Sequence, residues 1–153
     1  MSDTAGAPAT AGPPAQAYGW QLQVDARDAH TIADFWIAAL GYQLEDNTAF
    51  VQDLLSKGVV AAEDTFRRPD GVLSFNGFEA IHGSGPRILF HTVPEEKTIK
   101  NRLHLDITVG KDKLHSEAER LVGLGATELR EVEDPSGHWI TMADPEGNEF
   151  DLQ

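Results

Sequence analysis

The chain has 153 residues, of which 41% are hydrophobic and 24% charged, with no cysteine and a net charge of −13. That length and composition fit one soluble globular domain with a sizeable core. The charge argues against nucleic-acid and anionic-membrane partners, which need a basic face. The lack of cysteine excludes disulfides, thiolate metal sites and cysteine nucleophiles. No apolar run approaches the ~18 residues of a membrane helix. The N-terminus shows neither the basic start nor the apolar core of a signal peptide, so a cytoplasmic location is expected.

Residues 1–17 carry little to bury, and their Ala, Gly, Pro and Thr content predicts a disordered tail. Residues 18–153 read as a single domain. The alternation from Trp20 to Ala26 predicts a first strand with Leu22 and Val24 on one face and Gln21, Gln23 and Asp25 on the other. Asp28 is placed to cap the following helix, whose apolar stripe is Ile32, Phe35, Trp36, Ala39 and Leu40 and whose stop is Gly41. A short strand at Tyr42 to Glu45 and a helix from Thr48 to Lys57 follow, the latter with Phe50, Val51, Leu54 and Leu55 inward. Arg67 to Gly71 reads as a solvated turn. Val72 to Ile81 predicts a strand broken near Gly77, and Arg87 to Val93 a strand with Leu89, His91 and Val93 on one face.

Pro94 to Lys100 is a polar linker. Beyond it, Asn101 to Val109 alternates along its length. Leu103, Leu105, Ile107 and Val109 form an apolar face; Arg102, His104, Asp106 and Thr108 form a polar one. A helix is predicted over Asp112 to Leu124, with Leu114, Ala118, Leu121 and Val122 inward and Gly125 as its stop. Three strands separated by tight turns close the chain: Ala126 to Val132, His138 to Ala143 and Asn148 to Leu152. His30 and His115, each near the start of a helix, read as exposed. His138 and Trp139 read as the edge or wall of a cavity.

The element order repeats as β-α-β-(insert)-β-β and then β-α-β-β-β. Ala39-Leu40-Gly41-Tyr42 recurs as Gly123-Leu124-Gly125-Ala126, and the strands before the two helices align so that Gln21 matches His104. No Ser-His-Asp order, phosphate-binding loop or dinucleotide fingerprint is present.

Three stretches carry a resemblance to a known family. Asp34-Phe35-Trp36 with Ala39-Leu40-Gly41-Tyr42 resembles a first helix and its stop. Val93 to Asp106 resembles the segment leading into the second half. Met142-Ala143-Asp144-Pro145-Glu146-Gly147-Asn148-Glu149-Phe150 resembles the turn before the last strand. Together they resemble the vicinal oxygen chelate superfamily, and within it the glyoxalase-like (glyoxalase/bleomycin resistance/dihydroxybiphenyl dioxygenase-like) domains. The resemblance implies an α+β fold of two βαβββ modules, residues 18–94 and 101–153, forming a curved mixed sheet with helices on its convex face. It also implies a homodimer, with sites that can draw on both subunits.

Metal enzymes of the superfamily place one ligand on the first and last strand of each module. Carried over by position, these are Gln21, His91, His104 and Asp151. His91 stands where a Glu is the rule, and Asp151 is one methylene short, which departs from the glyoxalase I pattern. Two imidazoles, a carboxylate and an amide oxygen suit a divalent Zn, Fe, Ni or Mn ion. Glu149 and Asp106 are proton-transfer candidates; Trp139 and Arg102 are substrate-binding candidates. Other readings stand beside each of these. His104 can be a histidine satisfied by Asp106, His91 a plain pocket-lining residue, and Asp151 a solvated carboxylate. The implied functions are a metal-dependent isomerase, lyase or dioxygenase acting on a small oxygenated substrate, or a metal-free binding protein of the antibiotic-sequestering type.

Overall fold

A computed structural model of the chain describes residues 18–153, so the predicted tail lies outside the described residues. The first βαβββ unit comprises β1 (Leu22–Ala26), α1 (Ala29–Leu40), β2 (Gln43–Leu44), β5 (Phe78–His82) and β6 (Ile88–Thr92). Between β2 and β5 lies an insert of α2 (Thr48–Ser56) and the hairpin β3 (Thr65–Arg67) and β4 (Leu73–Phe75). The second unit comprises β7 (Asp106–Ile107), α3 (Leu114–Gly123), β8 (Thr127–Asp134), β9 (Gly137–Ala143) and β10 (Glu149–Leu152). Strand order is β1-β6-β5-β2 in one sheet and β7-β10-β9-β8 in the other, the same order in both. Each sheet pairs its first and last strands in parallel and the rest antiparallel. The repeat read in the sequence is therefore a repeat of topology.

Local chemistry sets the helix ends. Asp28 caps α1, its carboxylate accepting from the N–H groups of His30 and Thr31, which satisfies two donors that a helix start leaves open. Gly41 ends α1 at φ 66°, where a side chain would be strained. One apolar core joins the two units. Ile32 and Phe35 of α1, Phe90 of β6, Leu121 of α3 and Phe150 of β10 all belong to it. Trp36 packs edge-on against Phe150 with centroids 5.2 Å apart.

The join is also polar. Asp144 is 3% exposed and folds the turn before β10 around its carboxylate. Its Oδ1 accepts from the N–H groups of Glu146 (3.0 Å) and Asn148 (2.9 Å), and its Oδ2 from Asn148 Nδ2 (3.1 Å) and the Trp36 indole (3.2 Å). From the same turn, Glu146 accepts from the N–H groups of Arg27 and Asp28 ahead of α1. The Asp-Pro-x-Gly-Asn turn thus docks the second unit onto the first helix.

Several expectations are corrected. The strand expected from Asn101 to Val109 pairs only at β7, and Leu103 is 83% exposed. Among the described residues only β10 lies beside β7, and β10 starts at Glu149, so the ladder ends before Leu103 can turn inward. Phe50 and Val122 are also exposed, because α2 buries only Val51 and α3 only Leu114, Ala118 and Leu121. His30 is buried: its ring stacks on Phe66 and its Nδ1 lies 2.8 Å from Glu79 Oε2. Arg68 leaves the solvated turn to join that carboxylate (3.1 Å) and also pairs with Asp34. A buried Glu79 without these partners would be costly, so the insert is held to α1 by its charge. In β8 the register with β9 shifts between Glu128 and Arg130, a bulge at Leu129.

Asp144→Ala leaves the Trp36 indole and several turn donors unpaired in the core. Chemical denaturation is expected to show a loss of about 2–4 kcal/mol, against little change for Asp70→Ala in an exposed turn.

Candidate functional site

Each sheet has one face covered by a helix and one face that is not. Alternation puts Ile88 and Phe90 of β6 under α1 and leaves Leu89 and His91 on the opposite face, opposite Gln23 and Asp25 of β1. On the second sheet, Ile140, Met142 and Leu152 enter the core, so Thr141, Asp151 and Asp106, which face one another across the strands, lie on the open side.

On that open side His104, Asp106 and Asp151 converge. His104 Nε2 lies 3.3 Å from Asp106 Oδ1 and 3.4 Å from Asp151 Oδ2. Those separations exceed a normal N–H···O hydrogen bond. They match the ~3.4 Å between neighbouring ligand atoms that bonds of zinc's length to nitrogen and oxygen impose. The other oxygen of Asp151, Oδ1, is buried with no hydrogen-bond partner among the described residues. Two carboxylates directly across a ladder repel, and a divalent cation between them and the imidazole would relieve both problems. The donor set of one imidazole and two carboxylates fits such an ion.

The first unit offers a smaller counterpart. His91 stacks flat on Phe78, with centroids 4.4 Å apart and planes 6° apart, and its Nδ1 lies 3.8 Å from Asp25. His91 lies outside the His104 cluster. It does share a groove with His104, a cleft of about 1010 Å³ that also takes in Asp25, Lys97, Arg102 and Glu149. That is ample room for a small ligand. Gln21 is engaged elsewhere. Its amide oxygen accepts from Arg87 Nη1 at 2.6 Å, and Arg87 is gripped at two points by Glu45 (2.6 and 2.8 Å). The hydrogen bonds from Arg87 outweigh partial burial and hold the Glu45 carboxyl below its usual range.

Glu149 faces into the groove but is tied down. Burial disfavours its charge, yet the N–H of Asn101 (2.9 Å), its own N–H and the Lys97 ammonium (3.3 Å) more than compensate. Its carboxyl therefore sits below the ordinary value. Trp139 pairs with Val132 and lies by alternation on the side of Thr141, outside the groove lining. Arg130 donates to Thr141 Oγ1 (3.4 Å) on the same open face. His138 does not edge the cavity; its Nε2 contacts Glu131 Oε1 at 2.6 Å on the helix side. The sequence reading missed Arg87 on Gln21, Phe78 under His91 and Lys97 on Glu149, all contacts across strands or loops whose register periodicity cannot supply.

Paired βαβββ units with an open polar face define the glyoxalase/bleomycin resistance/dioxygenase class. The family model described as glyoxalase-like domain matches residues 21–153, and the chain belongs to that family. Among solved structures it is similar to a glyoxalase/bleomycin resistance protein/dioxygenase family enzyme from Burkholderia phytofirmans PsJN. That match has 14% identity and a TM-score of 0.58, covering 86% of this chain and 94% of the other. It is also similar to the fosfomycin resistance protein FosX from Listeria monocytogenes, in a complex with Mn(II) and 1S,2S-dihydroxypropylphosphonic acid. There the identity is 11% and the TM-score 0.58, covering 87% of this chain and 86% of the other. A lactoylglutathione lyase from Agrobacterium tumefaciens matches at 12% identity and a TM-score of 0.52, covering 91% and 93%. At such identities these likenesses establish the fold alone. No curated protein sequence matches the chain. Among the described residues, no helix is long and apolar enough to cross a membrane.

The depressed Glu149 gives a pH signature with a definite sign. A carboxyl whose folded pKa lies below its ordinary 4.5 stabilises the fold fully above that value, and the contribution fades as pH falls through the folded pKa. Glu149→Gln is expected to flatten the acid limb of the stability profile below about pH 4.5. Lys97→Met should move the Glu149 titration upward, as read by carboxyl NMR.

Proposed function

We propose that this glyoxalase-like protein is a divalent-metal-dependent enzyme acting on a small oxygenated substrate, by isomerase, lyase or dioxygenase-type chemistry. The observation that carries the reading is the His104–Asp106–Asp151 cluster, with ligand-like spacing and one buried carboxylate oxygen left unpaired. His104 and Asp151 are the principal ligands, and the ion is Zn, Fe, Ni or Mn. A bound ion would supply Lewis acidity toward adjacent substrate oxygens.

The chain's own groups divide the remaining work. Asp106, less encumbered than Glu149, is the better group to carry a proton at the substrate. Glu149 keeps its charge and orders the groove wall through Asn101 and Lys97. Arg102 and Lys97 line the groove and can bind an anionic substrate group, with Trp139 flanking the metal face. Gln21 and His91 of the first unit complete the ligand set from a second subunit in a homodimer. Two features support that arrangement. Among the described residues, β1 and β7 are each unpaired along one edge, and Trp20, Ile99 and Leu103 are exposed.

A second reading, a metal-free small-molecule binder, is favoured by the Arg87 contact that occupies the Gln21 amide. The two separate by measurement. Protein purified without chelator is expected to carry divalent metal, and His104→Ala or Asp151→Asn should lose the equivalent held at this cluster and lower turnover of small vicinal-oxygen substrates at least tenfold. Equal metal content in wild type and His104→Ala would remove the enzyme reading. Ligand binding that persists in chelator would favour the binder.

A further inference from the structure

A second set of metal-ligating groups meets on the other side of the second sheet. His115 lies in the first turn of α3, Glu131 in β8 and His138 in β9. His138 faces Glu133 across the ladder, so Glu131, two residues along, is its diagonal neighbour on the same face. That face is the helix side, because Glu131 pairs with the fully buried core residue Ile140. α3 then brings His115 over the pair.

Both imidazoles present the same nitrogen to the same oxygen. His138 Nε2 is 2.6 Å from Glu131 Oε1, and His115 Nε2 is 3.5 Å from it, with the rings edge-on and 6.0 Å apart. One contact is a hydrogen bond. The other is too long for one, yet it has the separation of two ligands on one ion. Two cationic imidazoles on a single carboxylate would repel each other. In their neutral tautomer protonated at Nδ1, both rings turn an Nε2 lone pair toward the point where the three groups meet, the arrangement that a bound cation would take up.

We propose that His115, Glu131 and His138 form a second divalent-cation site, selective for an imidazole-preferring ion such as Zn²⁺. Two imidazoles and one carboxylate are a poor set for Mg²⁺ or Ca²⁺ and a good one for Zn²⁺. Three protein ligands at a solvent-facing position leave the fourth place to water. The net charge of −13 raises the local concentration of cations. The ion would cross-link the start of α3 to the β8–β9 hairpin, so its binding registers as stability. This site does not depend on the function proposed above, since His104, Asp106 and Asp151 lie on the opposite face.

The test uses the full chain carrying His104→Ala, stripped of metal and titrated with Zn²⁺ by calorimetry and with Co²⁺ by visible absorption. The expected result is one equivalent bound, a tetrahedral Co²⁺ spectrum and a rise in thermal midpoint with Zn²⁺. Adding His115→Ala or E131Q should weaken Zn²⁺ binding by about 100-fold or more and abolish the thermal shift. Adding His82→Ala, outside the cluster, should change neither. His115 is solvent-exposed, so its replacement leaves the fold intact, and circular dichroism of the metal-free variant checks this. The proposal is overturned if the His104→Ala protein binds no Zn²⁺, or if binding survives His115→Ala and E131Q undiminished.

Discussion

The buried carboxylate of Asp144 is the constraint on which the rest of this molecule depends. It accepts hydrogen bonds from its own turn and from an indole that belongs to the other half of the chain. A buried charge is tolerable only when its acceptor capacity is filled. Here, filling it fixes how the last strand enters the second sheet and where α1 rests against it. The aromatic cluster of Phe35, Trp36 and Phe150 packs around the same contact. With β10 positioned in this way, Asp151 arrives beside Asp106 and His104. The geometry of the candidate metal centre is therefore set from within the core.

The two halves share a topology but divide their labour. The first half spends its helix-side polar groups on structure: Glu79 gathers His30, Arg68 and Ser74, and so holds the insert to α1. On its open face His91 lies flat on Phe78. The second half buries Asp144 and places its two imidazole–carboxylate clusters on opposite faces of the sheet. Both imidazoles of the family-derived ligand set line one groove, yet only His104 meets two carboxylates, whereas His91 has Asp25 alone beside it.

Much of the fold was legible in the sequence, and for identifiable reasons. Asp28 and Gly41 are terminal signals with a local mechanism, and both do what their chemistry dictates. The Leu-Gly repeat and the matching element order anticipated two units of identical strand order. Periodicity failed where pairing ran out. The alternation through Leu103 is sound as a pattern, but no neighbouring strand extends far enough to use it. It failed again where burial is driven by charge, since His30 and Arg68 looked like surface residues until Glu79 appeared beneath them. In the site, the His104–Asp106–Asp151 group rests on residues that the alternation and the family resemblance had marked. The Arg87–Gln21 contact was not visible, because it depends on where a loop residue lands. The His115–Glu131–His138 cluster had a partial signal. The tight turn after Asp134 fixes the hairpin register that puts Glu131 near His138, but the docking of α3 is a tertiary fact.

The bulge at Leu129 decides which cluster owns which residue. Upstream of it, Glu128 stands across from Met142; downstream, Arg130 stands across from Thr141. Had the ladder run on from Glu128 without the bulge, Leu129 would stand across from Thr141 and every side chain from 130 onward would have changed sides. Arg130 would then point into the core layer, and Glu131 would join Asp151 on the open surface, adding a third acid to a pair that already repels. The bulge thus sorts the charges of this sheet onto two separate surfaces, whereas the unbulged register would crowd acids onto one.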